Sequence, residues 1–205
     1  MKNLIRIFIA LIACNYSYAQ DCKKPYFEDP IQVDSSNIFI IPVGSCSNIT
    51  SIYGNENYLP HTNDYANVVF YNSKENKSFY LLKDNLGKIQ LGENKYMNIY
   101  SMKEYSTKKN LFFMIKMVDY NKDGVIDSDD PFYLYATDKN GNNLTQITPD
   151  NCAVISYHIY QDQNIILVKM LIDSNNDHLF TNKDNAIYYK IDLDNLKGEK
   201  ILELK

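Results

Sequence analysis

The chain has 205 residues, a formal net charge of −4 and 45% hydrophobic residues. That apolar content suffices for one packed domain, and a mildly acidic chain carries no electrostatic footprint for nucleic acid. Tyrosine is abundant at 18, tryptophan is absent and glycine is scarce at 7, a balance that favours strands over helices.

The N-terminus reads as a targeting segment. Lys2 and Arg6 flank the start of a short apolar run, 7–13, and Ser17-Tyr18-Ala19 has the small-x-small form of a cleavage site, so residues 1–19 read as a signal peptide. The run is far shorter than the ~20 residues needed to cross a bilayer. Leu11-Ile12-Ala13-Cys14 also resembles the lipobox of bacterial lipoproteins, which would end the signal before Cys14 and make that cysteine the lipidation site. Cleavage after Ala19 is the preferred reading. Either way the chain is expected to be exported, to the periplasm, the cell surface or the medium. Membrane contact is expected only through such a lipid anchor, which would make it an outer-membrane lipoprotein.

Export makes the remaining cysteines potential disulfide partners. Cys22–Cys46 is the preferred pair because it would tie down the N-terminal arm, leaving Cys152 a buried free thiol. The other pairings stay open.

Residues 20–36, with Pro25 and Pro30, read as a polar arm, and 37–205 as one repeat-built β domain. Runs of Val, Ile, Tyr and Phe predict strands at 37–43, 67–71, 78–83, 88–91, 97–102, 111–118, 132–137, 144–147, 154–160, 165–172, 186–193 and 200–204, with a short one at 51–53. Turn clusters separate them, ending in Gly87, Gly141 and Gly198. No run combines a helical period with caps. The order strand, strand, loop, strand, Gly turn, short strand recurs about three times, with 37–43 opening the first unit, 97–102 the second and 154–160 the third. The fold class expected is all-β: repeated four-stranded antiparallel meanders, propeller-like, with a β-sandwich as the alternative.

Between second and third strands of the later two units lies a twelve-residue acidic loop, 119–130 and 173–184. Calcium takes ~6–8 oxygen ligands, and alternate residues of a tight loop can aim oxygens at one centre. In the first loop Asp119, Asn121 and Asp123 stand at positions 1, 3 and 5, the Val125 carbonyl at 7, Asp127 at 9 and Asp130 at 12. Gly124 occupies the sharp turn at position 6, and Ile126 at 8 is expected to anchor the loop in the core. Four carboxylates this close repel one another without a cation. In the second loop Asp173, Asn175, Asp177, the Leu179 carbonyl, Thr181 and Asp184 fill the same places. His178 replaces the glycine, and Phe180 takes the anchor position. The cofactor expected is Ca2+, bound more weakly by the second loop.

Two resemblances follow. The loops are similar to those of EF-hands and dockerins, but their flanks read as strands and Pro131 follows position 12, so a helix-opening switch is not implied. The run from Phe132 to Pro149 (FYLYATDKNGNNLTQITP), supported by Ile187 to Gly198 (IYYKIDLDNLKG), resembles the blade signature of TolB-like β-propeller repeats over about residues 64–205. Propellers typically have ~4–8 blades, and this chain offers about three. The resemblance implies an interaction platform, and the partner expected is a protein or glycan at the cell envelope. An enzyme, such as a secreted hydrolase of glycans or peptides, is the alternative. No G-x-S-x-G, H-E-x-x-H or supported Cys/His pair supplies a reaction centre, so no catalytic residue is assigned.

Overall fold

The computed structural model describes residues 26–44, 64–83, 87–91 and 106–204. The signal segment 1–19 with Cys14, the pair Cys22 and Cys46, and the expected strands 51–53 and 97–102 lie outside them. The described residues form antiparallel strands: β1 (Tyr26–Phe27), β2 (Ile31–Gln32), β3 (Ile38–Gly44), β4 (Asp64–Asn72), β5 (Lys77–Tyr80), β6 (Lys88–Gln90), β7 (Asn110–Lys116), β8 (Tyr133–Asp138), β9 (Thr145–Gln146), β10 (Cys152–Tyr160), β11 (Ile165–Ile172), β12 (Asn185–Asp192) and β13 (Gly198–Leu204). Among these residues no helix is long and apolar enough to cross a membrane.

One sheet runs β1-β3-β4-β6-β7-β8-β9, with β2 beside β3 and β5 beside β4, and the other is the meander β10-β11-β12-β13. The strands β7 and β8 explain the stacking. Their runs Leu111-Phe112-Phe113-Met114-Ile115 and Tyr133-Leu134-Tyr135-Ala136 are apolar without alternation, the pattern of strands buried on both faces. Successive side chains point to opposite faces. Leu111, Phe113, Ile115, Tyr133 and Tyr135 join one core with β3 and β4. Phe112, Met114, Leu134 and Ala136 join a second core with Val168, Met170 and Ile187 of the β10–β13 meander. Within the larger sheet β7 and β8 thus turn one face to the core shared with β3 and β4 and the other to the β10–β13 meander, in the all-β architecture expected.

Four local readings differ from the structure. The arm is more than an arm: β1 and β2 pair with β3, and Ile31 and Val33 enter the first core. The strand expected at 78–83 stops at Tyr80. There the fully buried Asn67 takes over the ladder, its Oδ1 accepting from Leu82 N at 3.0 Å and its Nδ2 donating to Leu82 O at 2.8 Å. Strand β6 closes no first unit; it pairs with β7 and with the start of β4. In the turn before β13 the positive φ falls on Leu196, at 58°. Gly198 serves close approach instead, since a Cβ there would overlap the Tyr189 ring.

The packing brings the two acidic loops to one end. The first joins β7 to β8 and the second joins β11 to β12. Val154 N donates to Phe132 O at 2.8 Å and Asp173 N to Asn151 O at 3.0 Å, which fastens the start of β10 to the exit of the first loop and the entrance of the second.

Candidate metal centre

In the first loop every acidic or amide side chain proposed as a ligand accepts from the loop's own backbone. Asp119 Oδ2 accepts from Gly124 N (2.9 Å) and Oδ1 from Asp123 N (3.1 Å). Asn121 Oδ1 accepts from Asp123 N (3.0 Å), Asp123 Oδ1 from Val125 N (2.8 Å) and Asp127 Oδ1 from Asp129 N (2.9 Å). Asp130, 4% exposed, clamps the loop shut by accepting from Tyr120 N (2.7 Å) and Asp127 N (3.0 Å). The chain turns at Lys122 (φ 62°) and Gly124 (φ 90°).

The second loop repeats this geometry position by position. Asn175 Oδ1 accepts from Asp177 N (3.0 Å), Asp177 Oδ1 from Leu179 N (3.0 Å) and Thr181 Oγ1 from Lys183 N (3.2 Å). Asp184 clamps Ser174 N (3.2 Å) and Thr181 N (2.8 Å). The turns fall at Asn176 (φ 58°) and His178 (φ 62°), so the histidine adopts the left-handed conformation that the glycine holds in the first loop. Histidine is among the residues enriched there.

One bond breaks the equivalence. Asp173 Oδ2 accepts from His178 N at 3.2 Å, as Asp119 Oδ2 does from Gly124 N. The contact matching Asp123 N to Asp119 Oδ1 is missing. Asp173 is 3% exposed, and its Oδ1 is buried with no hydrogen-bond partner. A buried carboxylate oxygen left unpaired is costly, and it occupies position 1 of the metal-loop pattern.

Two side chains that the sequence reading passed over shape the pair. Tyr120 crosses from the first loop to the second. Its hydroxyl donates to Asp173 Oδ2 at 2.9 Å, and its ring packs edge-on against His178 (5.3 Å) and tilted on Phe180 (5.1 Å). Burial, followed by the hydrogen bond to Asp173, pushes its pKa up to about 12. Lys116, 3% exposed, lies beneath the first loop; its Nζ donates to Asp127 O and to Ser128 O (3.2 Å) and sits 4.9 Å from the Phe132 ring centroid. Three residues before Asp173 the corresponding position is Met170, fully buried and without charge. Only position 2 and a strand residue are involved, so no ligand pattern could have marked them.

The anchors differ from expectation. Ile126 is half-buried and outside both cores, and Phe180 packs on Tyr120. Val125 and Leu179 have exposed side chains, at 57% and 41%. Among the described residues no group of three or more His, Cys, Asp and Glu side chains converges to hold a metal, because the loop carboxylates are turned onto N–H groups. Cys152 is a free buried thiol, its pKa pushed up by burial to about 11. A cleft of about 350 Å³ is lined by Lys109, Asn164 and two carboxylates outside the loops, Asp162 and Asp194. Lys109 Nζ and Asn164 Nδ2 bind Asp194 at 3.0 and 2.8 Å and lower its pKa, the reverse of what a general acid needs.

Fold and loops together define an all-β protein of stacked antiparallel meanders with a pair of equivalent acidic loops at one end. No known protein family matches the chain, and no curated protein matches it. Among solved structures, an oligogalacturonate lyase in complex with manganese aligns over 82% of this chain at 10% identity, with a TM-score of 0.39. The chain spans 38% of that lyase's length.

Proposed function

We propose that the protein is an exported, cation-stabilised β-repeat platform of the cell envelope, acting by binding or as structure, with Ca2+ held by the two loops. The observation that carries the reading is the buried, unpaired Oδ1 of Asp173 in a loop whose backbone duplicates the first. A hard cation would satisfy it. The first site draws on Asp119, Asn121, Asp123, the Val125 carbonyl, Asp127 and Asp130, and the second on Asp173, Asn175, Asp177, the Leu179 carbonyl, Thr181 and Asp184. The N–H bonds do not exclude this role, since a carboxylate has about four lone-pair directions. Export rests on the signal-like residues 1–19, and a protein or glycan at the envelope is the partner that an exported platform without an assigned reaction centre would meet.

The test is a thermal melt of chelated protein with and without millimolar calcium. Extracellular calcium modules often bind at ~10⁻⁴–10⁻³ M. At about ten times the dissociation constant each site gains about 1.4 kcal/mol, or about 3–6 °C in a chain of this size. The double variant Asp173→Asn, Asp177→Ala should lose the second site's share of that gain. A wild-type melt unmoved by calcium refutes the reading.

A further inference from the structure

Tyr120 belongs to one loop and serves the other. Its backbone N–H is held by Asp130 Oδ1 at 2.7 Å, inside the first loop. Its hydroxyl reaches Asp173 Oδ2, across 53 residues of sequence. The traffic is one-way. Ser174, at the same place in the second loop, is exposed and turns its Oγ back to Asp184 at 3.5 Å. Asp173 therefore has one oxygen fixed by two donors, Tyr120 Oη–H and His178 N–H, and the other oxygen buried and unpaired. A carboxylate pinned in this way presents its remaining oxygen in one orientation.

We propose that the two loops form one coupled unit, in which Tyr120 is the positioning residue for the cation site of the second loop and a cation in the first loop raises the affinity of the second. The proposal rests on the cation reading above. Its physical basis is local. Tyr120 lies between Asp119 and Asn121, positions 1 and 3 of the first loop, so an ion holding both fixes the backbone on either side of it. The phenol is then ordered before the second ion arrives, and that ordering cost is not met twice. Hydrogen-bonded partners behind a metal ligand typically contribute ~10–100-fold to affinity. By linkage the coupling is reciprocal, so the second ion raises the affinity of the first by the same factor.

Terbium tests this on the full chain, because it binds hard oxygen sites and its emission is sensitised by a nearby tyrosine. Exciting tyrosine while titrating terbium, then displacing it with calcium, reads the second loop, and Asp177→Ala identifies that phase by removing it. Tyr120→Phe keeps the ring against His178 and Phe180 and removes only the hydroxyl. It should weaken the second site about tenfold in equilibrium dialysis, whereas Tyr160→Phe, at the far end of β10, should not. Disabling the first loop with Asp119→Ala, Asp123→Ala should weaken the second about five- to tenfold in the wild-type background and not at all in the Tyr120→Phe background. Second-loop affinity unchanged by first-loop loss, or by Tyr120→Phe, overturns the coupling and leaves the cation reading standing. No terbium or calcium uptake by the wild type in equilibrium dialysis overturns the cation reading itself. Where Tyr120→Phe fails to fold, the first-loop variant alone decides.

Discussion

Replacing Asp130 by alanine separates two roles that the twelve-residue pattern merges. As a metal ligand, Asp130 matters only when an ion is bound. As a backbone clamp it matters always, since it is 4% exposed and accepts from Tyr120 N at 2.7 Å and Asp127 N at 3.0 Å. Removing it leaves two donors without partners. A donor so abandoned costs about 1–3 kcal/mol, and water entering the gap recovers part of it. The expected loss is therefore about 3 kcal/mol, or about 6–12 °C of melting temperature in a chain of this size. Asp130→Asn keeps one acceptor and sets an amide NH₂ against the second donor, so it should fall between alanine and wild type. The assay is thermal unfolding followed by circular dichroism in excess chelator, where no ion contributes. Asp177→Ala, at an exposed residue, is the control and should stay within about 0.5 kcal/mol of wild type in chelator. An Asp130→Ala melt within about 1 °C of wild type in chelator would refute the clamp.

Two further outcomes follow from buried groups. Lys116→Met gives the first loop the residue that Met170 supplies in the second. It strands the Asp127 and Ser128 carbonyls, and should cost about 2–4 kcal/mol, seen as early proteolytic cleavage within 119–130 while the β10–β13 meander stays protected. Stability should also fall in alkali. Burial raises the Cys152 thiol from 9.0 to about 11 and the Tyr120 hydroxyl from 10.0 to about 12. Each group is neutral in the folded state where the unfolded chain has already lost the proton, so the unfolded state binds fewer protons and stability declines with rising pH. The decline should span pH 9–12 and shrink in Cys152→Ala. A flat unfolding free energy across that range contradicts it.

Much of the strand layout was legible because the local signals are strong. Val, Ile, Tyr and Phe runs bounded by Asn, Asp and Gly locate β3, β4, β7, β8, β10, β11 and β12 to within a few residues, and the unalternated run in β7 matches its burial on both faces. What was not legible depends on partners distant in sequence. Nothing near Lys88 says that β6 pairs with β7 and the start of β4. Nothing in 78–83 says that an asparagine side chain from β4 takes over the ladder at Leu82. Ile31 and Val33 are single apolar residues among polar ones, and only the fold gives them a core. The turn positions of the loops were legible, down to the left-handed His178. Tyr120 and Lys116 were not, because their roles arise from packing two loops side by side at one end of the layers.

The same distinction reverses the ranking of the loops. Ligand counting favours the first, with four carboxylates and a glycine at the turn. Counting ignores where the charges sit. Asp123 is exposed, and Asp119 and Asp127 are only half-buried, so water and salt screen much of their repulsion. The buried Asp130 has two N–H partners, and the Lys116 ammonium lies beneath the loop. Crowding of carboxylates is then a weak argument for an ion there. The second loop has fewer charges but places one where solvent cannot reach it. Asp173 has a single unpaired buried oxygen, and Met170, three residues before it, offers no charge. Desolvation rather than repulsion sets the demand for a cation, and on that measure the degenerate loop needs it more.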